Sequence, residues 1–176
     1  MTSRRRFALL LTCSLVACEA RDPAALSLEP PILTASSGPS LLICPSNQTT
    51  SGGGTLTDLG GTVTVNGHSV LVPEGALDEP TSIQITEPAS QYVEIGLQAN
   101  GLEHFDFELP VLVTVSYARC SRSNLFGREL EVWYIDQTTH ELLEPMGGID
   151  DKLTRTVSFW TDHFSGYAIA ESRPPR

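Results

Sequence analysis

The sequence predicts an all-β domain, an antiparallel two-sheet β-sandwich of about eight to nine short strands. Three observations carry this prediction. From Gly60 onward, apolar residues alternate with polar ones at period two, the spacing of strands that bury one face. Turn residues are dense, with 14 Gly and 12 Pro in 176 residues, which disfavours long uninterrupted helices. No apolar stripe at helical spacing runs through the region. A segment of about 110 residues buries around two-thirds of its unfolded surface, enough for one two-sheet core.

Each element follows from its own residues. Thr62-Val63-Thr64-Val65 opens the series, and Asn66-Gly67 after it is a strong signal for a tight hairpin. Val70-Leu71-Val72 is the returning strand, and Pro73-Glu74-Gly75 breaks its pairing. Ile83 and Ile85 alternate with Gln84 and Thr86, and Val93, Ile95 and Leu97 repeat the pattern before the Asn100-Gly101 turn. Val111, Val113, Val115 and Tyr117 line one face of the strand after Pro110. Leu130, Val132 and Tyr134 line the next, Val157 and Phe159 the last but one, and residues 166–170 form the closing strand. Ahead of this domain, placed at residues 59–171, the Ser-, Gly- and Pro-rich stretch 18–58 reads as a flexible tether. Its most flexible part is expected at Ser51-Gly52-Gly53-Gly54, and its one strand candidate is Ser40–Pro45. Residues 172–176 are a tail.

The first segment reads as an address. Arg4, Arg5 and Arg6 form a basic region, and Phe7 to Ala17 an apolar run of 11 residues. Crossing a bilayer as a helix takes about 20, so this is a secretion signal and not a span. The run closes with Leu15-Val16-Ala17-Cys18, which resembles the bacterial lipobox. That resemblance implies cleavage after residue 17 and acylation of Cys18, which makes the protein a lipid-anchored component of the bacterial cell envelope, facing the periplasm or the cell surface. Residue 19 is Glu where Asp favours inner-membrane retention, which by the same resemblance points to the outer membrane.

Charge and cysteine usage agree with export. The chain carries 21 acidic and 11 basic residues, a formal net charge of -10, with Lys152 as its single lysine. Losing Arg4, Arg5 and Arg6 with the signal leaves eight basic residues against 21 acidic ones, so the mature chain stands at -13. Phosphate neutralisation needs clustered Lys and Arg, so nucleic acid is excluded as a partner. The same charge keeps the protein off anionic head groups, so acyl chains and not a basic patch must hold it. Cys13 leaves with the signal and Cys18 takes lipid. Cys44 and Cys120 remain, and two thiols in an oxidising compartment most simply form one disulfide.

Three local patterns occur in order. They are Gly60-Gly61-Thr62-Val63 followed by Val70-Leu71-Val72-Pro73-Glu74-Gly75-Ala76-Leu77, then Phe105-Asp106-Phe107-Glu108-Leu109-Pro110-Val111-Leu112-Val113, then Asp162-His163-Phe164-Ser165-Gly166-Tyr167-Ala168. Together they resemble the ZU-five domain of ankyrins, netrin receptors and tight-junction scaffolds over residues 60–170. The resemblance implies a β-sandwich used for protein contacts or as a structural module. The spectrin-binding surface of ankyrins and the death domains of their relatives have no counterpart in this chain.

The same resemblance attaches one reaction to His163-Phe164-Ser165, because some relatives cut their own backbone between the Phe and the Ser. Ser165 would then be the nucleophile, His163 the base and the Phe164 carbonyl the electrophile, a step that also needs strain. The structural alternative packs Phe164 in the core, with His163 and Ser165 hydrogen-bonding where a strand begins. Other chemistry finds no support. His140-Glu141-Leu142-Leu143-Glu144 lacks the second His of a zinc-protease helix and reads as a β-hairpin. His68, His104 and His163 are scattered without ligand spacing, so no metal and no cofactor is expected. Asp150-Asp151 beside Gly147-Gly148 reads as a solvated pair rather than a calcium site. Trp133 and Trp160 sit opposite the aliphatic faces of their strands, which would suit a contact surface or a carbohydrate-binding sandwich. The leading expectation is a non-enzymatic interaction or structural role, with an envelope protein or glycan as partner. Self-cleavage between Phe164 and Ser165 is the alternative from a different class.

Overall fold

The computed structural model describes residues 38–171, the Asn124 side chain apart. The signal segment 1–17, the lipidation candidate Cys18, the first part of the expected tether up to residue 37 and the tail 172–176 lie outside the described residues. Twelve strands follow in order: β1 (Ser40–Leu41), β2 (Thr50–Leu56), β3 (Gly61–Val65), β4 (His68–Val72), β5 (Thr81–Glu87), β6 (Glu94–Ala99), β7 (Phe105–Ser116), β8 (Leu130–Ile135), β9 (Leu142–Gly147), β10 (Ile149–Asp151), β11 (Thr156–Phe164) and β12 (Gly166–Glu171). A single 3₁₀ turn, Arg122–Leu125, lies between β7 and β8.

These strands form two antiparallel sheets. One has seven strands in the order β2-β5-β6-β12-β8-β9, with β1 added beside β12, and the other has five in the order β10-β11-β7-β4-β3. The sheets face each other over one apolar core. Val70, Val113, Val157 and Phe159 from the smaller sheet meet Ile83, Ile85, Ile95, Val132 and Ile169 from the larger, all fully or almost fully buried. The fold is therefore the predicted β-sandwich. Both Asn-Gly dipeptides turn the chain as expected: Asn66 and Gly67, then Asn100 and Gly101, adopt the left-handed backbone that two-residue hairpins require.

Three expectations need correction. The candidate at Ser40–Pro45 does hold a strand, β1, but the count of eight to nine is too low, because β2 carries glycines in place of an apolar period and β10 has only three residues. Ser51-Gly52-Gly53-Gly54 is not a flexible tether; it lies in β2, paired residue for residue with β5. A Cβ added at Gly53 would sit 2.2 Å from the Ile83 carbonyl oxygen, and one at Gly52 would sit 3.0 Å from a Val65 methyl. Gly53 is there for close approach to the backbone of β5 beside it, and Gly52 for close approach to β3 of the facing sheet. The domain accordingly begins well before residue 59. Finally, β7 does not start after Pro110 but runs through it. Residues 107–110 stand opposite Asp162 at a register shift, so the missing N–H of Pro110 interrupts no ladder.

Candidate functional site

The His163-Phe164-Ser165 segment lies where β11 hands over to β12, with Ser165 between the two strands. Phe164 is fully buried, edge-on to Phe107 at 4.7 Å between centroids, and Phe107 is edge-on to Phe105 at 5.0 Å. The His163 carbonyl accepts hydrogen bonds from the Thr161 hydroxyl at 3.0 Å and the Tyr167 hydroxyl at 2.7 Å. Burial pushes the Tyr167 phenol up to about 12. His163 Nδ1 lies 2.9 Å from Asp162 Oδ1, and this hydrogen bond holds the Asp162 carboxyl below its ordinary value. The imidazole is thus oriented by a carboxylate and stands beside the His104 ring at 5.4 Å. Among the described residues no hydrogen bond joins His163 to Ser165, whose carbonyl accepts from the Leu97 N–H at 3.1 Å. Neither Phe164 nor Ser165 is among the residues with left-handed backbone.

At the opposite end, Cys44 and Cys120 are joined by a disulfide, with Cα atoms 5.3 Å apart and a sequence separation of 76. Beneath it lies a buried polar knot that the sequence reading missed. His68 Nδ1 accepts from the Ser116 N–H at 3.1 Å, which places the ring proton on Nε2, 3.3 Å from Glu87 Oε2. Asn66 also donates to Glu87, and Arg119 forms an ion pair with it. Arg119 Nε donates to the Cys44 carbonyl at 2.8 Å, and its Nη2 to the Tyr92 carbonyl. Burial first, then the Arg119 charge, lowers His68 from 6.5 to about 4, so the ring is neutral at pH 7. A signal for the knot exists in the sequence. His68 precedes Val70 and Val72 at period two, and Glu87 continues Ile83 and Ile85, so both fall on core faces.

The remaining candidates are separated rather than assembled. Trp160 is 58% exposed on the outer face of the smaller sheet, in the cross-strand row Leu71, Leu112, Trp160. Trp133 belongs to the larger sheet, where its indole N–H donates to Glu131 at 3.0 Å. The two tryptophans share no platform. Asp150 and Asp151 are not simply solvated. Asp150 accepts from the Tyr117 hydroxyl at 2.6 Å and the Leu130 N–H at 3.2 Å, and Asp151 caps the next turn through the Leu153 and Thr154 N–H groups. Burial and then that Asp150 bond raise the Tyr117 phenol above its ordinary value. The stretch around His140 is the expected hairpin, and His140 Nε2 meets the buried Glu94 carboxylate at 3.1 Å beside a cavity of about 570 Å³. Among the described residues no three His, Cys, Asp or Glu side chains come together as a metal site. No family model and no curated relative matches the chain.

Proposed function

We propose that this is an exported, lipid-anchored envelope protein whose sandwich serves a non-enzymatic interaction or structural role. The observation that carries the reading is Leu15-Val16-Ala17-Cys18 in register behind a basic region and an 11-residue apolar run. The Cys44–Cys120 disulfide supports it, because such bonds persist in oxidising compartments. Kinship with ZU-five domains is part of the proposal. Its support is that the three resembling segments hold parts of β4, β7 and β11, neighbours in one sheet, and that the third runs on into β12 of the facing sheet. The test is Cys18→Ser. The variant is expected to lose its acyl mass at the N-terminal peptide and to leave the membrane fraction. A variant that still partitions with membranes, together with a wild type whose N-terminal peptide carries no acyl group, defeats the proposal.

A further inference from the structure

Among the described residues, cationic side chains are confined to one end of the sandwich. The described residues hold 18 acidic side chains, the chain's 21 less Glu19, Asp22 and Glu29, and only five basic ones. These five are Arg119, Arg122 and Arg128 on the connection from β7 to β8, and Lys152 and Arg155 at the turn between β10 and β11. Lys152 Nζ donates to the Arg128 carbonyl at 2.6 Å, which holds the two segments side by side. Arg119, Arg128 and Lys152 pair with Glu87, Glu171 and Asp150, whereas among the described residues Arg122 and Arg155 form no ion pair. Elsewhere the described surface carries carboxylates without a single Lys or Arg.

The same two segments bear the most exposed large apolar side chains among the described residues, Phe126 at 94% and Leu153 at 85%. Between the segments lies a cavity of about 270 Å³ whose lining includes Tyr117, Leu125 and Phe126 together with Arg122, Lys152 and Arg155. The chain also arrives here. Ser40 in β1 pairs with Glu171, the residue whose carboxylate meets Arg128. Residues 19–39 connect Cys18 to this point, a stretch that spans at most about 75 Å.

We infer that this end is a membrane-docking face, in which Phe126 and Leu153 enter the interfacial layer of a phospholipid bilayer while Arg122 and Arg155 meet its phosphates. The inference rests on the lipid-anchored reading. An anionic surface repels the carboxylate-bearing remainder of the body and attracts the cations within a Debye length. Two apolar side chains are too few to hold the protein, so the anchor supplies the local concentration and the face sets the orientation.

The test couples chain 18–176, its disulfide intact, through the Cys18 thiol to a maleimide phospholipid. The vesicles are of phosphatidylethanolamine and phosphatidylglycerol. This attachment does not require acylation in the cell, so failure of docking is read separately from failure of the anchor. Amide hydrogen exchange in residues 121–128 and 152–155 is expected to slow about tenfold on coupling, the ratio that burial of one large apolar side chain supplies. Phe126→Ala with Leu153→Ala abolishes the slowing, and Arg122→Gln with Arg155→Gln removes its dependence on phosphatidylglycerol. Unchanged exchange in these loops overturns the inference, as does slowing that survives Phe126→Ala with Leu153→Ala or that centres on Trp160. Slowing that follows the number of chains per vesicle instead of the lipid composition assigns the face to a second copy and equally overturns it.

Discussion

Where β11 hands over to β12, the sandwich ends in an aromatic stack, with Phe164 edge-on to Phe107 and Phe107 edge-on to Phe105. At the other end the core stops against His68, Glu87 and Arg119 and is pinned by the Cys44–Cys120 disulfide. The first end is closed by apolar area, which is additive and tolerates adjustment. The second is closed by charge and a covalent bond, in which each member answers for another. Removing one partner of a buried ion pair strands the other, so this end is close to all-or-none. The contrast also separates stability from chemistry. The candidate reactive tripeptide sits in the apolar end, where its groups are packed and bonded, while the strongly shifted histidine belongs to the structural knot.

Breaking the covalent part of the charged end is expected to have the largest effect. Cys44→Ala with Cys120→Ala opens a loop across 76 residues, which in the chain-entropy account costs about 4 to 5 kcal/mol. Urea unfolding of the full chain reads it as a fall in the midpoint, and an unchanged midpoint removes the disulfide from the stability of this end.

Arg119→Met follows, with an expected loss of about 3 to 4 kcal/mol, because the Glu87 carboxylate is left buried without its cation. Adding Glu87→Gln recovers part of the loss, since the stranded charge is then gone. If the double variant is no more stable than Arg119→Met alone, the lost backbone contacts to Cys44 and Tyr92 explain the effect and the charge does not.

The third effect is set by pH. His68 stands at about 4 in the folded chain and near 6.5 when unfolded, so between these values the unfolded chain binds the extra proton. Its contribution is complete above pH 6.5 and is lost as pH falls towards 4, up to about 3 kcal/mol. Midpoints measured across this window are expected to fall more steeply for the wild type than for His68→Asn. Parallel curves would show that Glu87 and Arg119 compensate the proton.

The aromatic end is expected to respond least. Ser165→Ala changes stability by less than about 0.5 kcal/mol, since Ser165 anchors β12 through its carbonyl and not its hydroxyl. Mass measurement under denaturing conditions after long incubation at neutral pH is expected to show one uncut species. A fragment of residues 165–176, absent from Ser165→Ala, would instead make the end a self-processing site.

Most of the fold was legible because the sandwich buries one face of each strand, and that leaves a period-two imprint in Val63, Val65, Val70 and Val72 or in Val111, Val113 and Val115. The misses share a cause. β2 has glycine where period two needs apolar residues, because its inward positions must admit Val63 and Val65 of the facing sheet. The disulfide was legible on the expectation that Cys13 leaves with a signal and Cys18 takes lipid, which leaves Cys44 and Cys120 to pair. The inward placement of His68 and Glu87 was legible from their period, but their meeting with Asn66 and Arg119 was not, because the four come from three separate stretches of chain.

The sequence by itself determined the all-β class, the two Asn-Gly hairpins and the pairing of Cys44 with Cys120, because each depends on local backbone chemistry or on a count. Only the tertiary structure decided which strands neighbour one another, that Trp133 and Trp160 stand apart, and that every Lys and Arg of the described residues gathers at the end where the chain arrives. Those outcomes depend on sheet order, which follows from how two buried faces fit together and is not recorded in the spacing within any one strand.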